Sequence, residues 1–250
     1  MSLIYSNSAD GNIFKSEGAG GSGFSGARDA GTGSTVTTTT ADTSQFTAVF
    51  RFGSRGGTPP HRIHRSFAFF DTSSVTGTVA SAQFEIVGSG LFSTSGSMIA
   101  VKSDAFGGDG GTALALSDYD AMPGFTTGGS LEGNVTKYST QFIASDGWSN
   151  NSVNVLTGTS DLKTDMKNNN VVIVCFMDYT NDYLNVAPSS TSTVQLGGRY
   201  NEASSIGQRL RINFSLAPTG YANKVNGVAA ANIGKVMGVA TANISKVNGV

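Results

Sequence analysis

His64-Arg65-Ser66-Phe67-Ala68-Phe69-Phe70-Asp71-Thr72-Ser73-Ser74 is the densest aromatic run in the sequence, and Ser, Thr and Gly segments bound it on both sides. A run this short and apolar, rich in Phe and flanked by turn residues, reads as a β-strand. Successive side chains on a strand point to opposite faces. Phe67 and Phe69 therefore face one way, and Ala68 and Phe70 the other. A strand apolar on both parities belongs in the middle of a sheet that is covered on both sides. The helix expected near 160–167, a long loop or a neighbouring subunit could supply the second cover.

Other strands follow from the same pattern. Phe46 to Phe52 alternates, and Val79 to Val87 places Ala82, Phe84 and Ile86 inward with Gln83 and Glu85 outward. Met98 to Lys102 offers Ile99 and Val101 as an inward pair. Val171 to Asp178 is a second strand apolar on both faces. Arg209 to Leu216 alternates with Leu210, Ile212, Phe214 and Leu216 inward. Shorter strands are expected near Asn12–Lys15, Tyr138–Ala144, Ser152–Leu156 and Val194–Leu196. The tract from Gly18 to Thr43 reads either as flexible linker or as extended edge structure, since Thr35 to Thr40 has high β-propensity. Thr159 to Lys167 is the best helix, capped by Ser160 or Asp161, with Leu162 and Met166 four apart on one face. Leu114 to Met122 suits one or two helical turns, with Ser117 and Asp118 as caps. The count and spacing predict an all-β fold, a jelly-roll β-sandwich with one or two short helices. Residues 1–217 form this body, with 1–45 partly extended.

Pro218 breaks the pattern. Beyond it Lys224-Val225-Asn226-Gly227-Val228, Lys235-Val236-Met237-Gly238-Val239 and Lys246-Val247-Asn248-Gly249-Val250 repeat one unit every eleven residues. Asn-Gly pairs at 226–227 and 248–249 are turn formers. A unit this short cannot bury a core alone, so repeats must stack on each other or on another chain. A disordered tail is one reading of residues 218–250. The regular recurrence of small apolar residues favours an assembly or attachment arm, with Lys224, Val225, Val228, Lys235, Val236, Val239, Lys246, Val247 and Val250 as its contact residues.

Composition narrows the function. Charged residues are 13% of the 250, against about 25% in an ordinary globular chain. With 33 Gly and abundant Ser, Thr and Asn, this is the profile of an exposed β-protein. A formal net charge of −1 gives no global field for nucleic acid or an anionic membrane. The single Cys175 sits in an apolar run, reads as a small buried hydrophobe and allows no internal disulfide. The N-terminus lacks the basic and apolar regions of a secretory signal, and no apolar run reaches membrane-helix length. A virion component assembled in a host cytoplasm fits these observations together. A mature secreted fragment is the other reading.

Little in the sequence suggests chemistry. His61 and His64 have no Cys, Asp or Glu nearby in sequence to complete a zinc site. With Arg51, Arg55, Arg62 and Arg65 they suggest a basic patch. It would be either a solvated or intersubunit loop, or a contact for glycan or phosphate. Asp104 to Gly111 resembles a cation loop in composition, but lacks the alternating ligands and late Glu of a calcium-binding loop. The expectation is no metal and no cofactor. Tyr179, Asp182 and Tyr183, after a buried strand, suggest a sugar-contact loop, because aromatic faces stack on pyranose rings. The bland alternative is that the two tyrosines simply pack over the sheet edge. No nucleophile elbow, phosphate loop or spaced carboxylate pair is present, so no enzyme is expected.

Arg65-Ser66-Phe67-Ala68-Phe69-Phe70-Asp71-Thr72-Ser73-Ser74-Val75, followed by Val79 to Ile86, resembles the core of the DNRLRE-type family, jelly-roll modules related to carbohydrate-binding modules. Gln208 to Phe214 resembles their closing strand. Asp10-Gly11-Asn12-Ile13 and Ala27-Arg28-Asp29-Ala30 are similar to openings in phage members. The resemblance spans about residues 10–217 and departs at Phe69, where a polar residue is commoner, so Phe69 is expected to be covered. The terminal repeats are similar to tails on structural proteins of marine phages. Together these resemblances imply a non-enzymatic virion structural protein, in capsid decoration or a tail fibre. Its expected partners are sister copies and other virion proteins. An adhesin module for host-surface glycans is the alternative.

Overall fold

The computed structural model describes residues 1–38, 41–90, 93–217, 235–236 and 239–240. The chain divides into two units, Met1–Ser215 and Leu216–Val250. Strands in the first part of the chain are β1 (Ser2–Tyr5), β2 (Gly11–Glu17), β3 (Thr35–Thr37), β4 (Asp42–Arg51), β5 (His61–Asp71) and β6 (Val79–Val87). They are followed by β7 (Ser97–Lys102), β8 (Phe142–Ile143), β9 (Val153–Thr157), β10 (Val171–Met177), β11 (Ser192–Arg199) and β12 (Arg211–Leu216). Two α-helices interrupt them, α1 (Gly23–Arg28) and α2 (Ser160–Asn168).

Among the described residues these strands form two antiparallel sheets. One runs β1-β12-β6-β9. The other runs β11-β4-β5-β10-β7-β8, with β2 also paired to β5, and β3 to β2. The chain crosses between the sheets repeatedly, as a jelly-roll sandwich requires. The quoted strand, β5, is the centre of the larger sheet. Ser66 and Phe67 pair both with Asn12 and Gly11 of β2 and with Phe176 and Cys175 of β10, so those strands flank β5 on opposite edges. β4 pairs with the first part of β5, from His61 to His64.

Strand alternation then builds two cores on one sheet. Ala68 and Phe70 face the smaller sheet and pack with Phe46, Phe84, Ile86, Phe176, Leu196 and Ile212. Phe84 meets Phe176 edge-on at 5.3 Å between ring centroids. Phe67 and Phe69 face the other way, with Ile99, Val101, Ile173 and Cys175. A layer of the chain's own loops covers them, through Phe106, Leu114, Tyr119, Met122, Leu131 and Val135. Burying a phenylalanine side chain stabilises by about 1.5–3 kcal/mol, so both layers matter to the fold. Of the three covers the sequence left open, a long loop supplies the second one. Gly110 lies directly on the Phe69 ring, where an added Cβ would come within 2.9 Å of Cε2, and its φ of +80° suits glycine.

Several local expectations change. Ile99 and Val101 line the second core, while Met98 and Ala100 face the sandwich. The Gly18–Thr43 tract holds α1 and β3, and Phe24 and Ala27 of α1 pack on Val49 and Ile63. Thr39 and Thr40 lie outside the described residues. Thr159, not Ser160 or Asp161, caps α2, its Oγ1 accepting from the Leu162 N–H at 3.4 Å. Leu162 and Met166 are buried in the sandwich core as expected. The 114–122 stretch makes one tight helical turn, Leu116–Asp120, and Asp118 Oδ2 accepts from the Ala115 N–H at 3.0 Å. Leu216 is exposed at the end of β12, because the smaller sheet's partner β1 ends opposite Phe214.

In the second unit, β13 (Lys235–Val236) pairs antiparallel with β14 (Val239–Ala240), Lys235 opposite Ala240 and Val236 opposite Val239. Lys224, Val225, Val228, Lys246, Val247, Val250 and both Asn-Gly pairs lie outside the described residues. Among the described residues no helix is long and apolar enough to cross a membrane.

Candidate functional site

The first unit carries a groove of about 650 Å³, lined by Lys102, Ser103, Asp104, Gly108, Asp109, Tyr138, Asn168 to Val171 and Ile173. Three elements shape it. β7 delivers Lys102 at its end. α2 runs out at Asn168-Asn169-Asn170, a run of side-chain amides that disfavours further helix. The Ser103–Asp109 loop closes the third side, anchored by Ser103 N–H on Ile173 O at 3.1 Å and Asp104 N–H on Ala121 O at 2.9 Å. Thr72, just past the quoted strand, fixes the amide run by donating from Oγ1 to Asn169 O at 2.7 Å.

Asp165 on α2 stands beside the groove and holds two of its lining side chains. Its Oδ2 accepts from Lys102 Nζ at 2.9 Å and from the Tyr138 hydroxyl at 2.5 Å. Burial and this bond to Asp165 push the Tyr138 phenol well above its usual range, so it stays a neutral donor. Amides, carboxylates, a lysine and a phenol in an open groove supply paired donors and acceptors. Polyhydroxylated ligands are bound by such sets, with a few placed polar groups fixing orientation. The sequence offered one signal for this place, the triple Asn, which reads there only as a helix stop.

The loop expected to touch sugar is built differently. Tyr179–Tyr183 forms a single wide helical turn after β10. Tyr179 and Tyr183 stack at 5.6 Å, with planes 18° apart. Tyr183 is fully buried, and so is Asp182. Asp182 accepts two bonds from Arg65, from Nε to Oδ2 and from Nη2 to Oδ1, both 2.7 Å. Tyr179 alone of the three keeps part of its surface exposed. Arg65 also donates to Tyr119 O at 2.8 Å and Arg28 O at 2.9 Å, and its guanidinium lies 4.1 Å from the Tyr119 ring centre. Arg28 donates from Nε to Asp182 O at 2.9 Å, and the Tyr119 hydroxyl to Ala27 O at 2.9 Å. This node ties β5 to three covering loops at once.

The suggested basic patch loses both histidines and Arg65 to burial, while Arg55 is exposed and Arg51 and Arg62 are half-buried. His61 and His64 lie on β5 rather than on a loop, and both are buried. Alternation sends Arg65 into the second core, away from His64. Arg62 stacks over Phe14 at 4.8 Å and Phe52 at 5.8 Å, and Arg51 donates to Pro188 O at 3.0 Å. His64 Nδ1 meets Asn12 Oδ1 at 3.0 Å. Burial, and then the charge of Arg62, lowers the His64 pKa to about 3. Asp178, after β10, is raised to about 6 by burial. The Asp104–Gly111 loop, cation-like in composition, spends Asp109 on the Gly111 N–H at 2.8 Å and carries Phe106 onto Phe69 at 5.1 Å. Cys175 is a free, fully buried thiol whose pKa burial pushes up.

No protein-family model matches the chain, and no curated protein matches it in sequence. The likeness to DNRLRE-type modules is therefore carried by the quoted motifs alone.

Proposed function

We propose that this chain is a non-enzymatic virion structural protein, a capsid decoration or tail-fibre component, whose repeat segment joins sister copies and other particle proteins. The observation that carries the reading is the antiparallel pairing of Lys235–Val236 with Val239–Ala240 inside an eleven-residue repeat. A lone two-stranded hairpin is at best marginally stable in water. Repeated hairpins gain stability by stacking on one another or on a partner. Repetition also multiplies weak contacts into avidity. The uncharged, Ser- and Thr-rich composition and the likeness of the repeats to phage structural tails support the same reading. Deleting residues 218–250 and measuring incorporation into particles tests it. Loss of incorporation is expected, with the sandwich still folded; undiminished incorporation would overturn it.

A second reading rests on the polar groove. A glycan recognised there would make the body an adhesin. A glycan array with the wild-type chain and with Lys102→Ala and Asn169→Ala separates the two. Binding that both changes abolish favours recognition as the main role; an array without signal favours the scaffold.

A further inference from the structure

We propose that Asp10 and Glu202, with Asn201 and Ser6 beside them, form a binding site for a hard divalent cation of calcium's size. The site joins the β1–β2 loop to the segment between β11 and β12. Asp10 is 1% exposed. Its Oδ2 accepts from the Ser6 hydroxyl at 2.5 Å and from the Asn201 N–H at 3.2 Å. Its Oδ1 is buried without a partner. The Asn201 N–H bond brings the next residue, Glu202, close enough for its charge to act on Asp10, and both Glu202 carboxylate oxygens are buried without a hydrogen bond. The Asn201 side-chain oxygen is in the same condition. Four orphaned acceptors thus fall within one short segment and the aspartate it packs against.

The other buried carboxylates set the contrast. Asp182 has Arg65 and Glu85 has Arg211 at 2.6 Å, while Asp178, which has no cation, has both oxygens bonded, Oδ2 by Ser97 at 2.9 Å and Oδ1 by the Asn181 N–H at 2.6 Å. Among the described residues no Lys, Arg or His forms an ion pair with Asp10 or Glu202. Buried charges are normally paired or bound to metal. Two facing carboxylates with a spare amide oxygen and a hydroxyl lack a positive partner, and every donor is oxygen. Oxygen-only sets suit calcium and magnesium rather than zinc or copper. The larger, less directional ion tolerates mixed carboxylate, amide and hydroxyl ligands better. Two acids imply modest affinity, about 10⁻⁴–10⁻³ M, the range of extracellular modules. The ion would therefore bind in calcium-rich media and leave in a chelating one.

The test uses the full chain and calcium itself. Melting is followed in EDTA and in CaCl₂ at about tenfold over the dissociation constant, where a rise in Tm of about 3–6 °C is expected. MgCl₂ should give a smaller rise, and Glu202→Gln should abolish the calcium response. Terbium luminescence excited through Tyr200 gives a second readout on the unaltered protein, independent of how the variant folds. Emission should appear on adding terbium and fall on adding calcium. The proposal is overturned if calcium leaves the wild-type Tm unchanged, if a folded Glu202→Gln keeps the full response, or if terbium emission is absent or insensitive to calcium.

Discussion

Replacing Asp182 with alanine should destabilise the sandwich by about 3–4 kcal/mol. The Arg65 guanidinium has no exposed surface, and the change removes its two 2.7 Å bonds to Asp182. A hydrogen bond to a charged group contributes about 1.5–3 kcal/mol, so two give about 3–6 kcal/mol. Removing one partner of a buried ion pair costs about 3–5 kcal/mol, because the other charge is left buried. Carbonyls of Tyr119 and Arg28 and the face of Tyr119 still hold Arg65, which places the cost at the lower end. For a unit of this size that lowers Tm by roughly 6–16 °C. Urea unfolding followed by Trp148 fluorescence and by circular dichroism measures it. Lys15→Ala, which breaks the partly exposed 3.7 Å pair with Glu17, is the control and should cost less than about 1 kcal/mol. The double variant Arg65→Met with Asp182→Ala should lose less than the sum of the single changes. A cost below about 1 kcal/mol for Asp182→Ala would refute the reasoning, since the node would then not hold the loop layer to β5.

Three further outcomes follow from the same geometry. Gly110→Ala, at a φ of +80° and against the Phe69 ring, should cost about 1–3 kcal/mol by urea denaturation. His64 is held neutral with a pKa of about 3, so its share of stability is present above about pH 6.5 and lost as the unfolded chain takes up the proton on acidification. Asp178, raised to about 6, acts in the opposite sense, so the readout is the difference between wild type and His64→Gln. That difference should shift against the wild type by about 2–3 kcal/mol between pH 7 and pH 4.5 in paired urea titrations. A chain ending at residue 217 should keep the wild-type near-ultraviolet circular dichroism, because both cores lie within Met1–Ser215.

The frame was legible because alternation is a local signal. β5 and β10 announce themselves by being apolar on both parities, and β6 and β12 by being apolar on one. The cover over Phe67 and Phe69 was not legible. Residues 103–137 are rich in Gly, with Asp, Ala and Thr scattered among them and no period, so nothing in their order says they fold back over β5. Asp182 was misleading for a related reason. An acid between tyrosines reads as a ligand group when its partner stands 117 residues away. One signal was present: Arg65 shares a face with Phe67 and Phe69, and an arginine on a core face needs a buried carboxylate. The Asp10–Glu202 pair had no local signal, since its halves lie at opposite ends of the sandwich sequence. The groove was missed because its lysine, phenol and amides come from three separate elements.

The most direct test of the assembly reading is the native mass of the full chain beside that of residues 1–217, at equal concentration and in calcium-containing buffer. The account predicts a homo-oligomer for the full chain and a folded monomer for the truncated one. Equal masses for the two would contradict it.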